Sequence, residues 1–255
     1  MTSATACAPH DFRFEKYDAA GAYHWREIGR HLLWHNAFTA ERYRRTLAEM
    51  MPLRSQRVLD YGCGDGALLG MICRHVGAKG EAHGFDPNGT GLRLASQMLS
   101  RRGHSFTLHA QASELPDSYF DRVICAEVIE HVVDVEGLIA GIHRILKPGG
   151  RAIITTPVRL TQHPLDPNHV REWFPDEFKE LFQDCPLKLC KHELVIPAAA
   201  AEVYFWRPWL FLRVPVFRLL CNALSICCQV NALSWLRLRP RLYMQQYVVL
   251  ERSKP

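Results

Sequence analysis

The stretch Arg57-Val58-Leu59-Asp60-Tyr61-Gly62-Cys63-Gly64-Asp65-Gly66-Ala67 decides how the chain folds. Long and branched apolar side chains run into an acid, then into a turn with glycine at every second position. An apolar run suited to a helix follows, Leu68 to Ile72. The pattern reads as strand, tight loop, helix. Glycine loses more backbone freedom on folding than any other residue, so three in so short a span need a reason. The usual ones are unusual dihedrals or close approach of a ligand to the backbone. A loop that opens a helix also points N–H groups at whatever binds there. Gly62-x-Gly64-x-x-Ala67 fits a loose dinucleotide fingerprint, a weak signal by itself.

Working outward, Glu81 to Asp86 reads as a second strand, with Asp86 at its end. That is about 20 residues past the loop, where a βαβ unit sets an acid near a ribose. The turn Asp86-Pro87-Asn88 opens a helix from Thr90 to about Arg102. Ser105 to His109 is a third strand, followed by Gln111-Ala112-Ser113-Glu114-Leu115-Pro116. Phe120 to Cys125 is a fourth, with Glu127-Val128-Ile129-Glu130-His131 at its carboxyl end, where open parallel sheets bind ligands. Val132 to Leu146 has helical periodicity and closes on Lys147-Pro148-Gly149-Gly150. Arg151 to Thr155 is a fifth strand, Pro175 to Phe182 a short helix, and Lys188 to Ile196 and Tyr243 to Glu251 the last two strands.

The run V-L-D-x-G-C-G-x-G, the acid at 86, the Leu115-Pro116 turn, and Lys147 to Gly150 before a strand resemble class I S-adenosylmethionine (SAM) dependent methyltransferases. The likeness extends over about 57 to 157. It implies an α/β fold: a Rossmann-like seven-stranded sheet with the last strand antiparallel, N-terminal helices, and a helical apolar insertion before that strand. It implies a helical cap over 1–50, a SAM-binding domain over 51–255, and the insertion at 197–240. It also implies that SAM lies against Asp60, Tyr61, Gly62, Cys63, Gly64 and Gly66, with Asp86 and Pro87 at the ribose, Gln111, Ala112 and Ser113 at the adenine, and Glu127 close by. In related sequences an acid stands where this chain has Gln111, whose amide oxygen still accepts a hydrogen bond. N-terminal helices in the family often cover SAM, so Tyr17 or Tyr23 either touches the cofactor or simply packs its helix on the sheet.

Methyl transfer from SAM is an in-line displacement, and a hydroxyl acceptor needs a base. Glu127, Glu130 and His131 converge if the stretch takes one helical turn. E-V-I-E-H resembles ubiquinone-pathway O-methyltransferases, and small-RNA 2′-O-methyltransferases that add a later histidine; His169 is the best counterpart, His163 the second. The resemblance implies Glu127 and His131 at the transfer centre. It leaves open a divalent cation such as Mg²⁺ on Glu127, Glu130, His131 and His169, or the same residues with no metal.

The formal charge of +5 is uneven. Between Val203 and Leu250 stand six arginines and no acid, leaving the rest of the protein near −1. Lysine is absent there while leucine and tryptophan abound, which argues against a nucleic-acid surface. Residues 203–242 hold Phe205, Trp206, Trp209, Phe211, Phe217 and Trp235, interrupted by prolines and polar residues. No spanning helix fits. The segment reads as an acceptor lid, a homodimer contact, or a helix lying in a membrane interface. The acceptor expected beneath it is an apolar small molecule or lipid-like compound. Nine cysteines without a Cys-x-x-Cys pair, and an N-terminus without a signal-peptide pattern, imply reduced thiols and a cytoplasmic enzyme, with or without peripheral membrane contact. A metal-dependent RNA 2′-O-methyltransferase, an NAD-dependent oxidoreductase and a non-catalytic SAM-fold subunit are the alternatives.

Overall fold

The computed structural model describes residues 16–164, 166–205, 216–235 and 242–254. The expectations for the first fifteen residues, for Trp206, Trp209 and Phe211, and for the arginines at 207, 213, 237, 239 and 241 lie outside them. Three helices precede the sheet: α1 (Lys16–Ala20), α2 (Tyr23–Glu27) and α3 (Ala37–Met50). Then follow β1 (Arg57–Tyr61), α4 (Ala67–Val76), β2 (Glu81–Phe85), α5 (Gly89–Ser100), β3 (Thr107–His109), β4 (Phe120–Ala126) and α6 (Val135–Ile145). Next come β5 (Leu146–Pro157), α7 (Pro175–Glu180), β6 (Leu187–Pro197), α8 (Ala198–Phe205), α9 (Val216–Cys228) and β7 (Tyr243–Arg252).

The strand order is β3-β2-β1-β4-β5-β7-β6. The first five strands pair in parallel. β7 wedges between β5 and β6 and is antiparallel to both, as the resemblance implies. Successive strand residues point to opposite faces, and the two cores follow that alternation. Val58, Ile124, Ile153 and Val249 pack with α3 and α4 on one face. Leu59, Val123, Ile154 and Leu250 pack with α6 and α7 on the other. Helices on both faces explain why the central strands read as near-continuous apolar runs. Truncating a fully buried residue such as Leu59 to alanine removes about 2–5 kcal/mol.

The helical cap expected over 1–50 is interrupted among the described residues: α2 and α3 are separated by 28–36. Asn36 sets the break: its side-chain oxygen accepts the N–H groups of Phe38 and Thr39 at 3.1 and 3.4 Å, an N-cap that starts a new helix. Residues 16–20 form α1, held by the buried ring of Tyr17. β5 begins at Leu146, because Lys147 to Gly150 continues the strand with a register shift against β4. The eight described cysteines are free thiols.

Candidate functional site

The sheet order reverses between β1 and β4, so the crevice outside their carboxyl ends is where an open α/β sheet takes a ligand. Both signature stretches end there: β1 runs into the glycine loop and β4 into Glu127 to His131.

The loop is pinned largely through its backbone. The N–H groups of Gly62 and Cys63 both donate to the Phe85 carbonyl, at 2.7 and 2.9 Å. Gly64 N–H donates to Asp86 Oδ2 at 2.8 Å, while Asn88 N–H donates to Asp86 Oδ1 at 2.8 Å. A carboxylate has about four acceptor positions, so Asp86 retains capacity for ribose hydroxyls at the end of β2. Gly62 and Gly64 have φ of 81° and 50°. A Cβ on Gly62 would collide with the Val128 side chain, and one on Gly64 with the Tyr17 hydroxyl. Gly62 thus lets the loop lie against the β4 exit, and Gly64 lets α1 close over it. Of the two tyrosines expected near a cofactor, Tyr17 is the one on the loop. Tyr23 stacks on it at 5.8 Å between ring centres.

Asp60 is buried, and its Oδ2 has no hydrogen-bond partner. Burial, and next the neighbouring Asp86, push its carboxyl up to about 8. The Leu69 backbone N–H donates to this carboxylate, and a buried acid so little compensated beneath a glycine cradle is the complement of a ligand carrying cations. SAM brings a sulfonium and an ammonium, so these residues fit it. Tyr61 packs edge-on against Phe85 at 4.7 Å. Cys63 is buried and Pro87 exposed. Gln111 and Ser113 are exposed beside the short turn Ala112–Glu114, whose Ala112 carbonyl accepts from Arg144 at 3.0 Å. Asp65, which the sequence reading does not single out, ties α2 to the loop. Its side chain accepts the N–H of His24 at 2.9 Å and its carbonyl the indole N–H of Trp25 at 2.7 Å.

At the β4 exit the expected helical turn does not carry Glu127 along. Glu127 takes φ +57°, a strained value for a residue with a side chain, and only Ile129–His131 forms a 3-10 turn. The Glu127 carboxylate is held by Thr155 Oγ1 at 2.9 Å, Arg42 at 3.1 Å and Gln245 at 2.8 Å. Glu130, His131 and His169 do converge, with one ligand-type atom from each lying within 4.8 Å of the others. This is the one such cluster among the described residues. His163 is exposed and outside it.

The loop carrying His169 is drawn in by the Glu130 carbonyl, which accepts the N–H groups of Val170 and Arg171 at 2.8 and 3.2 Å. Glu130 is fully buried; Oε2 accepts from Thr156 at 3.2 Å and Oε1 has no partner. Burial, and then Glu127, hold its carboxyl well above the usual range. His131 Nδ1 lies 2.9 Å from the Asn168 carbonyl, so Nδ1 carries the hydrogen and Nε2 the lone pair. Burial lowers the His131 pKa and keeps the ring neutral. His169 Nδ1 lies 2.6 Å from the buried Glu172 carboxylate. An acceptor on one ring nitrogen that orients the other is how proteins present histidines to metals. The sequence signal for Glu172 is its place three residues past His169; nothing in the sequence marks Arg42 or Gln245.

The chain matches the family described as "Methyltransferase domain" over residues 33–194. It is 35% identical to the ubiquinone/menaquinone biosynthesis C-methyltransferase UbiE of Erwinia tasmaniensis over 106 residues, 40% of this chain and 42% of that protein. The Serratia proteamaculans UbiE is 33% identical over the same coverage. The matched region therefore spans under half the length of these curated relatives. The fold superposes on Haemonchus contortus phosphoethanolamine N-methyltransferase 2 in complex with S-adenosyl-L-methionine with a TM-score of 0.67, at 16% identity, over 96% of this chain and 60% of that one. A SAM-dependent methyltransferase from Aquifex aeolicus gives 0.55 at 15% identity, over 82% and 89%. With the glycine loop at the sheet's switch point and β7 wedged antiparallel beside β5, the fold is that of the SAM-dependent methyltransferases it superposes on, and the chain belongs to the methyltransferase-domain family.

Proposed function

We propose that the protein methylates a hydroxyl of an apolar, lipid-like acceptor, the hydroxyl proton leaving at the cluster of Glu130, His131 and His169. The observation that carries this reading is the convergence of those three side chains beside the loop that fits SAM. SAM supplies a methyl carbon already activated by its sulfonium. Asp60, Gly62, Gly64 and Asp86 hold the donor end, and the enzyme's remaining tasks are alignment and proton removal.

The donor set suits a divalent cation. Two imidazoles and one carboxylate favour a first-row transition ion such as Mn²⁺ over Mg²⁺, which prefers oxygen. A cation held by Glu130, His131 and His169 would polarise an acceptor hydroxyl. Glu127 is assigned no ligand role, since its carboxylate is already taken by Arg42, Thr155 and Gln245. Without a cation, the neutral His131 Nε2 takes the proton directly. A second reading is methylation at carbon, favoured by the C-methyltransferases among the relatives. The same proton removal makes the carbon next to a phenolic hydroxyl nucleophilic.

The test is a mass-shift screen with deuterated-methyl SAM on an extract of apolar metabolites, followed by NMR of the labelled product. A methoxy signal supports O-methylation, and a methyl signal on a ring or alkyl carbon replaces it with the second reading. Label on RNA in a parallel reaction with total RNA overturns the acceptor class. Chelation should abolish turnover and Mn²⁺ restore it; full activity in EDTA with no response to added metal leaves His131 as base. His131→Ala should lower kcat by about 10²–10⁴-fold.

A further inference from the structure

Helix α9 is built inside out. Its buried side chains include Asn222 and Ser225, at 0% and 1% exposure. Its exposed large apolar ones are Val216, Phe217, Leu220 and Leu224, between 39% and 59%. A helix packed on a domain in water shows the reverse arrangement. The inward polar groups are satisfied. Asn222 Nδ2 donates to the carbonyls of Leu32 and His35 at 2.9 and 2.8 Å, and Asn222 Oδ1 accepts from the Tyr204 hydroxyl at 2.6 Å. Ser225 Oγ lies 2.9 Å from His35 Nε2. These bonds lock α9 to the 28–36 segment, which itself exposes Leu33 and Trp34 at 60% and 58%. Two adjacent, mutually anchored elements therefore both turn large apolar side chains outward.

We infer that this face docks the protein on an anionic lipid bilayer, with α9 lying in the interface. Charge selects that occupant. Neither 28–36 nor 216–235 contains an acid, whereas Arg30 and His31 are exposed and Arg218 lies on α9. The wider stretch from 203 to 250 adds five more arginines and no acid. An apolar face flanked by basic residues such as Arg30 and free of acids suits the boundary between anionic headgroups and acyl chains. A second copy set face to face would bring arginine against arginine. A lid closing on its own domain would bury the leucines in place of Asn222. No described helix is long and apolar enough to cross a membrane, which fits a helix that lies flat. The inference is independent of which acceptor is methylated.

The test is vesicle flotation of the full-length protein on phosphatidylcholine, with and without phosphatidylglycerol, at low and high salt. The protein should float with anionic vesicles, far less with neutral ones, and progressively less as salt screens the arginines. The Leu220→Gln/Leu224→Gln variant should lose about tenfold or more in partitioning, with thermal melting and S-adenosylhomocysteine binding unchanged. Should that variant melt early, Trp34→Ser carries the same test from the other element. Equal binding to neutral and anionic vesicles, or variants that float like the parent, overturns the inference. So does a sedimentation dimer that the double variant splits while the parent ignores vesicles.

Discussion

The two ends of the pocket are made of different material. The donor end is mostly backbone: N–H groups of Gly62, Cys63 and Gly64, the Phe85 carbonyl, and one acid, Asp86, all within about thirty residues of each other. The acceptor end is side chains drawn from far apart: Arg42, Thr155 and Gln245 around Glu127, and Asn168, His169 and Glu172 around Glu130 and His131. A cradle of backbone dipoles tolerates little change in shape but many changes of side chain around it. A constellation of long-range side chains can be altered one contact at a time. That is a physical basis for a superfamily that holds one donor and serves many acceptors.

The sharpest way to break the contrast is at Gly62. Valine there is strained at φ 81° and runs into Val128, so both ends are disturbed by one change. Isothermal titration with S-adenosylhomocysteine should show a loss of about a hundredfold or more, some 3 kcal/mol or above. Retained binding would mean that the loop and the β4 exit move independently. The next largest effect should come from Glu172→Gln, which leaves every proposed cation ligand in place. Losing the carboxylate that orients His169 should weaken Mn²⁺ binding by about 10–100-fold, read by electron paramagnetic resonance, with S-adenosylhomocysteine affinity unmoved. An unchanged Mn²⁺ affinity would remove His169 from the cation site.

The same difference of material explains what could be read in advance. The sheet, its antiparallel last strand and the glycine loop were legible, because period-2 strands, glycines and Asp86 act on neighbours close in sequence. Glu130, His131 and His169 were legible as candidates. Their separation from Glu127 was not, since it depends on one positive φ, and on Arg42 and Gln245 reaching Glu127 across 85 and 118 positions. The break in the N-terminal helix at Asn36 was masked by apolar residues that continue the helical spacing through Leu32 and Leu33, two side chains the fold leaves exposed. Periodicity reports which residues are apolar; it does not report which of them meet the core.

Arg42→Leu tests the clamp on Glu127 with a smaller, mainly structural effect. Arg42 and Glu127 are each less than a fifth exposed, so removing the cation leaves a largely buried carboxylate unmatched. A loss of about 2 kcal/mol is expected, near 5 °C in Tm for a protein of this size. Arg42 hydrogen-bonds Glu127, and only its charge reaches Glu130, so S-adenosylhomocysteine binding and Mn²⁺ binding should largely hold. Loss of either alongside the drop in Tm would show that the clamp positions the β4 exit as a whole.

The most pH-dependent effect lies at Asp60, where the donor end depends on a side chain after all. Its carboxyl, raised to about 8 against 3.8 for an unperturbed aspartate, is neutral in the folded ligand-free protein at pH 7. Below pH 3.8 the group is protonated in both states and contributes no slope. Between there and pH 8 the unfolded state sheds the proton while the folded state keeps it, so stability falls as pH rises. Above 8 both states are ionised and the penalty is constant. Asp60→Asn removes this slope, so its Tm relative to the parent should climb steadily between about pH 4 and 8, then level. SAM offers cations to this acid, so its binding should release a proton near pH 7, seen as a buffer-dependent heat in calorimetry and absent in the variant. A Tm difference flat across that range, or no proton release, would mean that water or a rearranged loop already satisfies Asp60, and the donor end would then be backbone throughout.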